Sequence, residues 1–396
     1  MFDEKTADSR TEIRNPYTYV TTEPVLAEVV ARMKHARRIA LDIEANSLYQ
    51  YHQKVCLIQL TANGEDYIVD PLVGLDLADF LQVLANKPLI VHGADYDLRM
   101  MRQSLEFLPR QEVFDTMSAA QLLGFEHFSL AALAERYLGL HMTKRNQKSN
   151  WSQRPLTDKQ LEYACDDTHY LESIAQVMET ELVKLDRLGW LHEICARTAE
   201  SAAEGMRPDY DADEAWRIKG AAFLAREPLA YVREIWQWRE REAQKLNRPP
   251  FKVFGNSEVL ELAQWAAANK DKPLAEWPRL PRYLAGRRIE GLERAVKKAR
   301  ALPSAEWPPQ RRPRSVQPPQ PDCRNEVEAL QAECRRLAEE LGIAPSVLAP
   351  RAAITAVARS RPQTPDEAVS AGLLLPWQAQ VLKPALQKIF GKRKSK

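Results

Sequence analysis

The chain holds no apolar run approaching the ~18–20 residues needed to span a bilayer, so a membrane-embedded protein is not expected. Its five cysteines, Cys56, Cys165, Cys195, Cys323 and Cys334, never form a C-x-x-C pair. That scatter argues against a zinc ribbon or a disulfide framework and fits a reducing, cytoplasmic setting. No G-x-x-x-x-G-K-[ST] loop is present, which argues against a nucleotide-driven motor. The stretch Met1-Phe-Asp-Glu-Lys5 is acidic rather than apolar, so no signal peptide is expected. Charge of one sign is not in excess either. The 56 Lys+Arg against 54 Asp+Glu leave a net +2, too little for the whole molecule to act as a polyanion binder.

What is present is ordinary for a soluble globular protein: 45 % hydrophobic and 28 % charged residues. A length of 396 residues suggests two or three domains. In the first part, the apolar stretches Arg38–Asn46, Val55–Leu60, Asp66–Asp70, Pro88–His92 and Glu112–Asp115 read as short strands. Asn63-Gly64 is a tight-turn signal, so the first three should form an antiparallel meander. Helical patterns lie between the later strands and dominate from Thr116. Strands first, then strand and helix in alternation, predict an α/β domain over 1–205, a mixed sheet with helices on both faces.

Composition changes near Met206-Arg-Pro-Asp209. A first all-helical domain is expected over 226–302, and residues 226–300 hold 17 basic and 10 acidic side chains, a local net of +7. A Pro-rich linker over 303–321 reads as a semi-extended spacer. A second helical domain is expected over 322–390 with Asp322 as its N-cap, and 391–396 is a basic, solubilising tail.

The chemistry starts on the first strand. Side chains alternate with a period of two, so Asp42 and Glu44 project from one face. Unpaired buried carboxylates are costly, and two of them raise each other's pKa unless a cation intervenes. A divalent metal resolves this; an edge strand with two solvated acids is the plain alternative. A second segment, His92-Gly-Ala-Asp-Tyr-Asp97, sits at a strand end where α/β sheets place their sites. Here Asp95 reads as a helix N-cap, Asp97 as a candidate ligand and His92 as a hydrogen-bonding residue. Asp115, before Thr116, reads as a structural N-cap. A third segment, Leu161-Glu-Tyr-Ala-Cys-Asp-Asp-Thr168, puts Tyr163 and Asp167 one helical turn apart on one face. Asp166 is expected to be solvated or paired. The loop Thr143–Trp151 is basic with one aromatic. It could hold a phosphate backbone and stack a base, or be a solvated loop with Trp151 in the core. Arg154 is a candidate support for the site.

Taken in this order, Asp42-x-Glu44, His92-Gly-Ala-x-x-Asp97 and Tyr163-x-x-x-Asp167 resemble the three exonuclease motifs of the DEDD superfamily, Tyr163 marking its tyrosine branch. Trp151-Ser-Gln-Arg-Pro-Leu156 and Tyr163-Ala are similar to the ribonuclease D family in particular, over residues 18–205. Trp238-Arg, Pro250-Phe-Lys-Val and Gly255-Asn, within 228–300, resemble the HRDC domain shared with RecQ-type helicases, and 323–390 resembles a weaker second copy. The resemblance implies a ribonuclease H-like mixed sheet flanked by helices, followed by two all-α domains. It implies a cytoplasmic, monomeric 3′–5′ exoribonuclease that uses two Mg²⁺ or Mn²⁺ ions and releases nucleoside 5′-monophosphates. Its RNA partners would be tRNA precursors and other structured RNAs. By the same resemblance Asp42 bridges both ions, Glu44 and Asp167 complete one, Asp97 holds the other through water, and Tyr163 orients the attacking water. In-line phosphodiester hydrolysis suits two ions ~3.5–4 Å apart on oxygen ligands. A tyrosine of pKa ~10 is a poor general base at neutral pH. A DNA 3′–5′ exonuclease would use the same chemistry. A non-catalytic RNA-binding module fits less well, because all four acids and the tyrosine are present. The helical half is expected to grip the RNA body.

Overall fold

The computed structural model describes residues 15–142, 147–204, 214–284, 286–310 and 323–391. Most of the Pro-rich stretch, the basic tail from Lys392, the proposed cap Asp322 and Thr143–Asn146 of the basic loop lie outside the described residues. The chain divides into two compact units. One takes the described residues of Met1–Ala45, Val55–Gly205 and Val327–Lys396; the other takes those of Asn46–Lys54 and Met206–Glu326. Among the described residues no helix is long and apolar enough to cross a membrane.

The first unit opens with β1 (Tyr17–Val20), α1 (Glu23–His35), β2 (Ile39–Ala45), β3 (Val55–Ala62) and β4 (Glu65–Val69). There follow α2 (Ala78–Ala85), β5 (Leu89–Val91), α3 (Ala94–Leu105), β6 (Val113–Asp115), α4 (Thr116–Leu122) and α5 (Leu130–Leu138). Three longer helices close this part: α6 (Asp158–His169), α7 (Leu171–Lys184) and α8 (Leu188–Ala203). The six strands make one sheet in the order β1-β4-β3-β2-β5-β6. The expected meander is there, with β2–β3 and β3–β4 antiparallel. Asn63 and Gly64, at φ 53° and 77°, supply the left-handed pair that a two-residue hairpin needs. Parallel pairing of β2 with β5, β5 with β6 and β1 with β4 makes the sheet mixed, as expected. Strand β1 was not legible in the sequence. It has four residues with only Val20 fully buried, and pairs at the sheet edge with a strand far along the chain.

Strand β2 lies in the sheet interior, with Ile39, Leu41 and Ile43 buried on one face and Asp42 and Glu44 on the other. Helix α6 covers the acid-bearing face, packing against β2, β3 and β4. A capping box starts it: the Thr157 hydroxyl accepts from the Gln160 backbone N–H, and the Gln160 side chain accepts from the Thr157 N–H.

The same unit holds α13 (Arg324–Leu341) from Val327 onward, α14 (Pro345–Leu348), α15 (Arg351–Ser360), α16 (Pro365–Ser370) and α17 (Pro376–Phe390). The Trp190 and Trp377 rings stack at 4.5 Å, and the Glu193 carboxylate accepts from the Trp377 backbone N–H at 2.9 Å. Buried Arg187 donates to the Leu122 carbonyl at 2.6 Å and the Leu341 carbonyl at 2.5 Å. These contacts fasten the last helices to the sheet-bearing part.

The second unit is built on α9 (Arg226–Leu246), α10 (Pro250–Val253), α11 (Asn256–Ala268) and α12 (Arg287–Ala301). Its core gathers Trp216, Tyr231, Trp238, Phe254, Leu262, Trp277 and Leu292. Residues 303–310, the start of the Pro-rich, semi-extended linker expected over 303–321, lie in this unit, where Arg226 donates to the Ser304 and Trp307 carbonyls. Helices α9 to α11 and α13 to α15 share one local plan. Each series has a long helix, a left-handed residue just beyond it (Asn247, Gly342), a four-residue helix opening on proline, then a longer helix.

Candidate active site

Three elements converge on the acid-bearing face. Strand β2 presents Asp42 and Glu44, and α6 presents Asp167 one turn beyond Tyr163. One carboxylate oxygen from each of Asp42, Glu44 and Asp167 lies within 4.8 Å of the others. Asp97 enters from the first turn of α3, 7 % exposed. It stands outside that close set, yet its charge acts on Glu44.

The α3 start differs from the sequence reading. Gly93, at φ 88°, is the N-cap, and Asp95 falls inside the first turn instead of at the cap. Only glycine takes this left-handed turn at little cost, so the helix begins earlier than a side-chain cap would allow. Asp95 pairs with Arg99 one turn along, on the exposed side. Asp115 does cap α4, as expected, accepting from the Met117 N–H at 3.0 Å and from Ser118 Oγ at 2.7 Å. It also accepts from the Gly93 N–H at 2.7 Å. The carboxylate that ends β6 thus holds the turn that aims Asp97. His92 ends β5 with Nδ1 2.9 Å from Thr116 Oγ1, which itself donates to the Val91 carbonyl. The hydroxyl proton is used on that carbonyl, so His92 Nδ1 is the donor, a strand-end hydrogen bond.

The acids shift one another. Burial pushes Asp42 up to about 7, opposed by the Ile43 backbone N–H that its carboxylate accepts. Burial pushes Glu44 up to about 10, and the charges of Asp42, Asp167 and Asp97 add to it. Asp97 is held well above the usual carboxylate range by burial first, then by Asp42, Asp115 and Asp167. Asp167 is raised by burial and Asp42, and relieved in part by the hydrogen bond the Tyr163 hydroxyl donates to it. Tyr163 itself is raised by burial and by the carboxylates of Asp167, Glu44 and Asp42. It is a hydrogen-bond donor, not a base at neutral pH.

Like charges crowded in a half-buried site cost free energy that an oxygen-preferring divalent cation would offset. The donor set is therefore a fit for such an ion: three oxygens in reach of one point, a fourth carboxylate beside them, and like-charged neighbours shifting each. Asp42, Glu44 and Asp167 could hold it.

Around the acids stands a supporting layer. Trp151 is 1 % exposed, its ring 6.1 Å from that of Tyr163, so it belongs to the core and is not a base-stacking platform. Arg154 clamps Asp70 through two hydrogen bonds of 2.5 and 2.7 Å and donates to the Cys56 and Trp151 carbonyls. Tyr19 donates to the same Asp70 carboxylate. Arg154 thereby fixes the segment leading into α6. Asp166 is paired, accepting from Asn15 Nδ2 at 3.0 Å. Two features escaped the sequence reading. One is the buried chain in which Thr61 donates to Asp66, with Thr168 and His169 beside it. The other is Gln59, fully buried on β3 directly opposite Asp42. A glutamine inside the apolar run Val55–Ala62 was its only signal.

Residues 17–183 match the family model described as 3′-5′ exonuclease, and residues 229–272 match the HRDC domain. The fold and these two matches define the class: a 3′–5′ exonuclease domain of mixed sheet and helices, joined to an HRDC helical domain. Ribonuclease D of Gluconacetobacter diazotrophicus is 32 % identical over 347 residues, covering 86 % of each chain. Ribonuclease D of Nitrobacter hamburgensis is 28 % identical over 91 % of this chain and 92 % of its own. In fold, the chain is similar to the crystal structure of Escherichia coli RNase D, described as an exoribonuclease involved in structured RNA processing. The TM-score is 0.67 at 22 % identity, over 96 % of this chain and 100 % of that one. A protein from Bifidobacterium adolescentis superposes at a TM-score of 0.77 and 21 % identity. The chain belongs to the ribonuclease D family. It is a hydrolase, a 3′–5′ exoribonuclease of the ribonuclease D type.

Proposed function

We propose that this enzyme trims the 3′ ends of tRNA precursors and other structured RNAs, as a cytoplasmic monomer, with two Mg²⁺ or Mn²⁺ ions held by Asp42, Glu44, Asp97 and Asp167. The observation that carries the reading is the convergence of the Asp42, Glu44 and Asp167 oxygens within 4.8 Å. When bound, the ions supply an acidified water and positive charge at the departing 3′ oxygen. The chain's own residues do the rest. Asp42 and Glu44 sit on a strand paired with β3 at both positions, which fixes their backbone. Tyr163 donates its hydroxyl proton toward Asp167 and, with its second lone pair free to accept, can orient the attacking water. Asp97 is placed by the Gly93 turn that Asp115 holds. Nucleoside 5′-monophosphates leave one at a time. The local excess of Lys and Arg over 226–300 supports a role for the second unit in gripping the RNA body.

The test is a 5′-labelled tRNA precursor with a 3′ extension, set beside a DNA of the same sequence. Stepwise shortening of the RNA that halts near the mature end supports the proposal. Equal trimming of the DNA would assign a DNA 3′–5′ exonuclease instead. Shortening of unstructured RNA alone would exclude the structured substrates.

A further inference from the structure

We propose that Gln59 is a positioning residue for the metal site, its side-chain amide holding the Asp42 carboxylate in the orientation that binds a divalent cation. The inference rests on the metal-site reading above and adds a residue to it. Gln59 lies on β3 in register with Asp42, and cross-strand partners of an antiparallel pair project from the same face about 4.5–5.5 Å apart. It is 0 % exposed, yet among the described residues neither its Nε2 nor its Oε1 has a hydrogen-bond partner. A buried amide that loses its water and gains nothing is costly, and most buried polar side chains are satisfied.

Its other neighbours on that face cannot satisfy it. The partner across β4 is Ile68, which is apolar. Two residues along, the Thr61 hydroxyl is already bonded to Asp66 and Thr168. The polar side chain in direct register with it is the Asp42 carboxylate, Glu44 lying one pair further along β2, and for Asp42 the metal-free fold supplies the Ile43 backbone N–H. The Gln59 amide has two N–H donors, and from its in-register position it can donate one to an Asp42 oxygen. Donors that hold ligating carboxylates in this way tune metal affinity, and losing one typically costs ~10–100-fold. Among the described residues the fold thus keeps an unpaired amide beside one of the carboxylates that a cation would pull to a fixed orientation.

Gln59→Met tests this, because it keeps the length and removes both polar atoms. In EDTA the full-length variant should melt at or above the wild-type temperature, since no hydrogen bond of the metal-free fold is lost. Its Mn²⁺ affinity, read from free Mn²⁺ by electron paramagnetic resonance and by calorimetry, should fall ~10–100-fold. Asp42→Asn is run beside it. If Asp42→Asn loses Mn²⁺ binding while Gln59→Met keeps wild-type affinity, the Gln59 inference is overturned and the metal site stands. If both bind as wild type, the metal reading itself fails. A Gln59→Met chain that melts lower in EDTA, or does not fold, would show that the amide serves the metal-free fold and would also overturn the inference.

Discussion

Loading the carboxylate cluster with a divalent ion should expel protons, and Glu44 sets the count. Burial and its acidic neighbours push Glu44 up to about 10. At pH 7 Glu44 is therefore held protonated in the metal-free protein. A cation binds the ionised carboxylate, so it must displace that proton. Asp97 and Asp167, both held well above the usual range, add to the release. At least one proton should therefore leave per site filled at pH 7, and Mg²⁺ affinity should rise about tenfold per pH unit for each proton displaced. The sign for stability follows. A carboxyl whose folded pKa is raised stabilises the fold fully below its unfolded value of about 4.3, and that contribution is lost as pH rises toward about 10. The metal-free melting temperature should accordingly decline from pH 5 to pH 9, and saturating Mg²⁺ should remove the decline. Titration calorimetry at pH 7, in two buffers of different ionisation enthalpy, counts the protons directly. Zero protons released, with affinity flat from pH 6 to pH 8.5, would refute the buried, mutually shifted cluster.

Other expectations follow from single contacts. Tyr163→Phe removes the hydroxyl that meets Asp167 and should slow single-turnover cleavage by roughly 10²–10⁴-fold, with less effect on Mn²⁺ binding; wild-type rates would make Tyr163 a core residue only. Asp115→Ala should cost about 0.5–2 kcal/mol of stability through its lost cap, read by urea denaturation, and should also lower turnover because the Gly93 turn carries Asp97. Trp377→Ala should destabilise by ~3–5 kcal/mol, since it empties the stack on Trp190. An unchanged denaturation midpoint there would mean the last helices are not fastened to the exonuclease part.

The parts of the site legible in the sequence are those set by local periodicity. The period of a strand put Asp42 and Glu44 on one face, and the period of a helix put Tyr163 over Asp167. Asp115 was legible as a cap because a carboxylate before a helix start is a local signal. What escaped depends on register and distant partners. Nothing local says that Gln59 faces Asp42, because that needs the β2–β3 register. Arg154 and Asp70 meet across 84 positions, and their clamp on the approach to α6 has no sequence signature. Asp95 was misplaced because a glycine in the left-handed region starts α3 without any side-chain cap. The helices from Arg324 were read as a domain apart. Their place in the sheet-bearing unit involves long-range contacts such as the Trp190–Trp377 stack, the Glu193 bond to the Trp377 N–H and buried Arg187, which no helical pattern announces.

The most direct test of the account is a time course on 5′-labelled structured RNA with wild-type enzyme and Asp42→Asn, each in Mg²⁺ and in EDTA. The account predicts a ladder of 3′-shortened products for the wild type in Mg²⁺ alone. The Asp42→Asn protein, folded by circular dichroism, should fall by ~10²–10³-fold or more, from the several kcal/mol of charge stabilisation a metal supplies. A full ladder from Asp42→Asn, or from the wild type in EDTA, would contradict it.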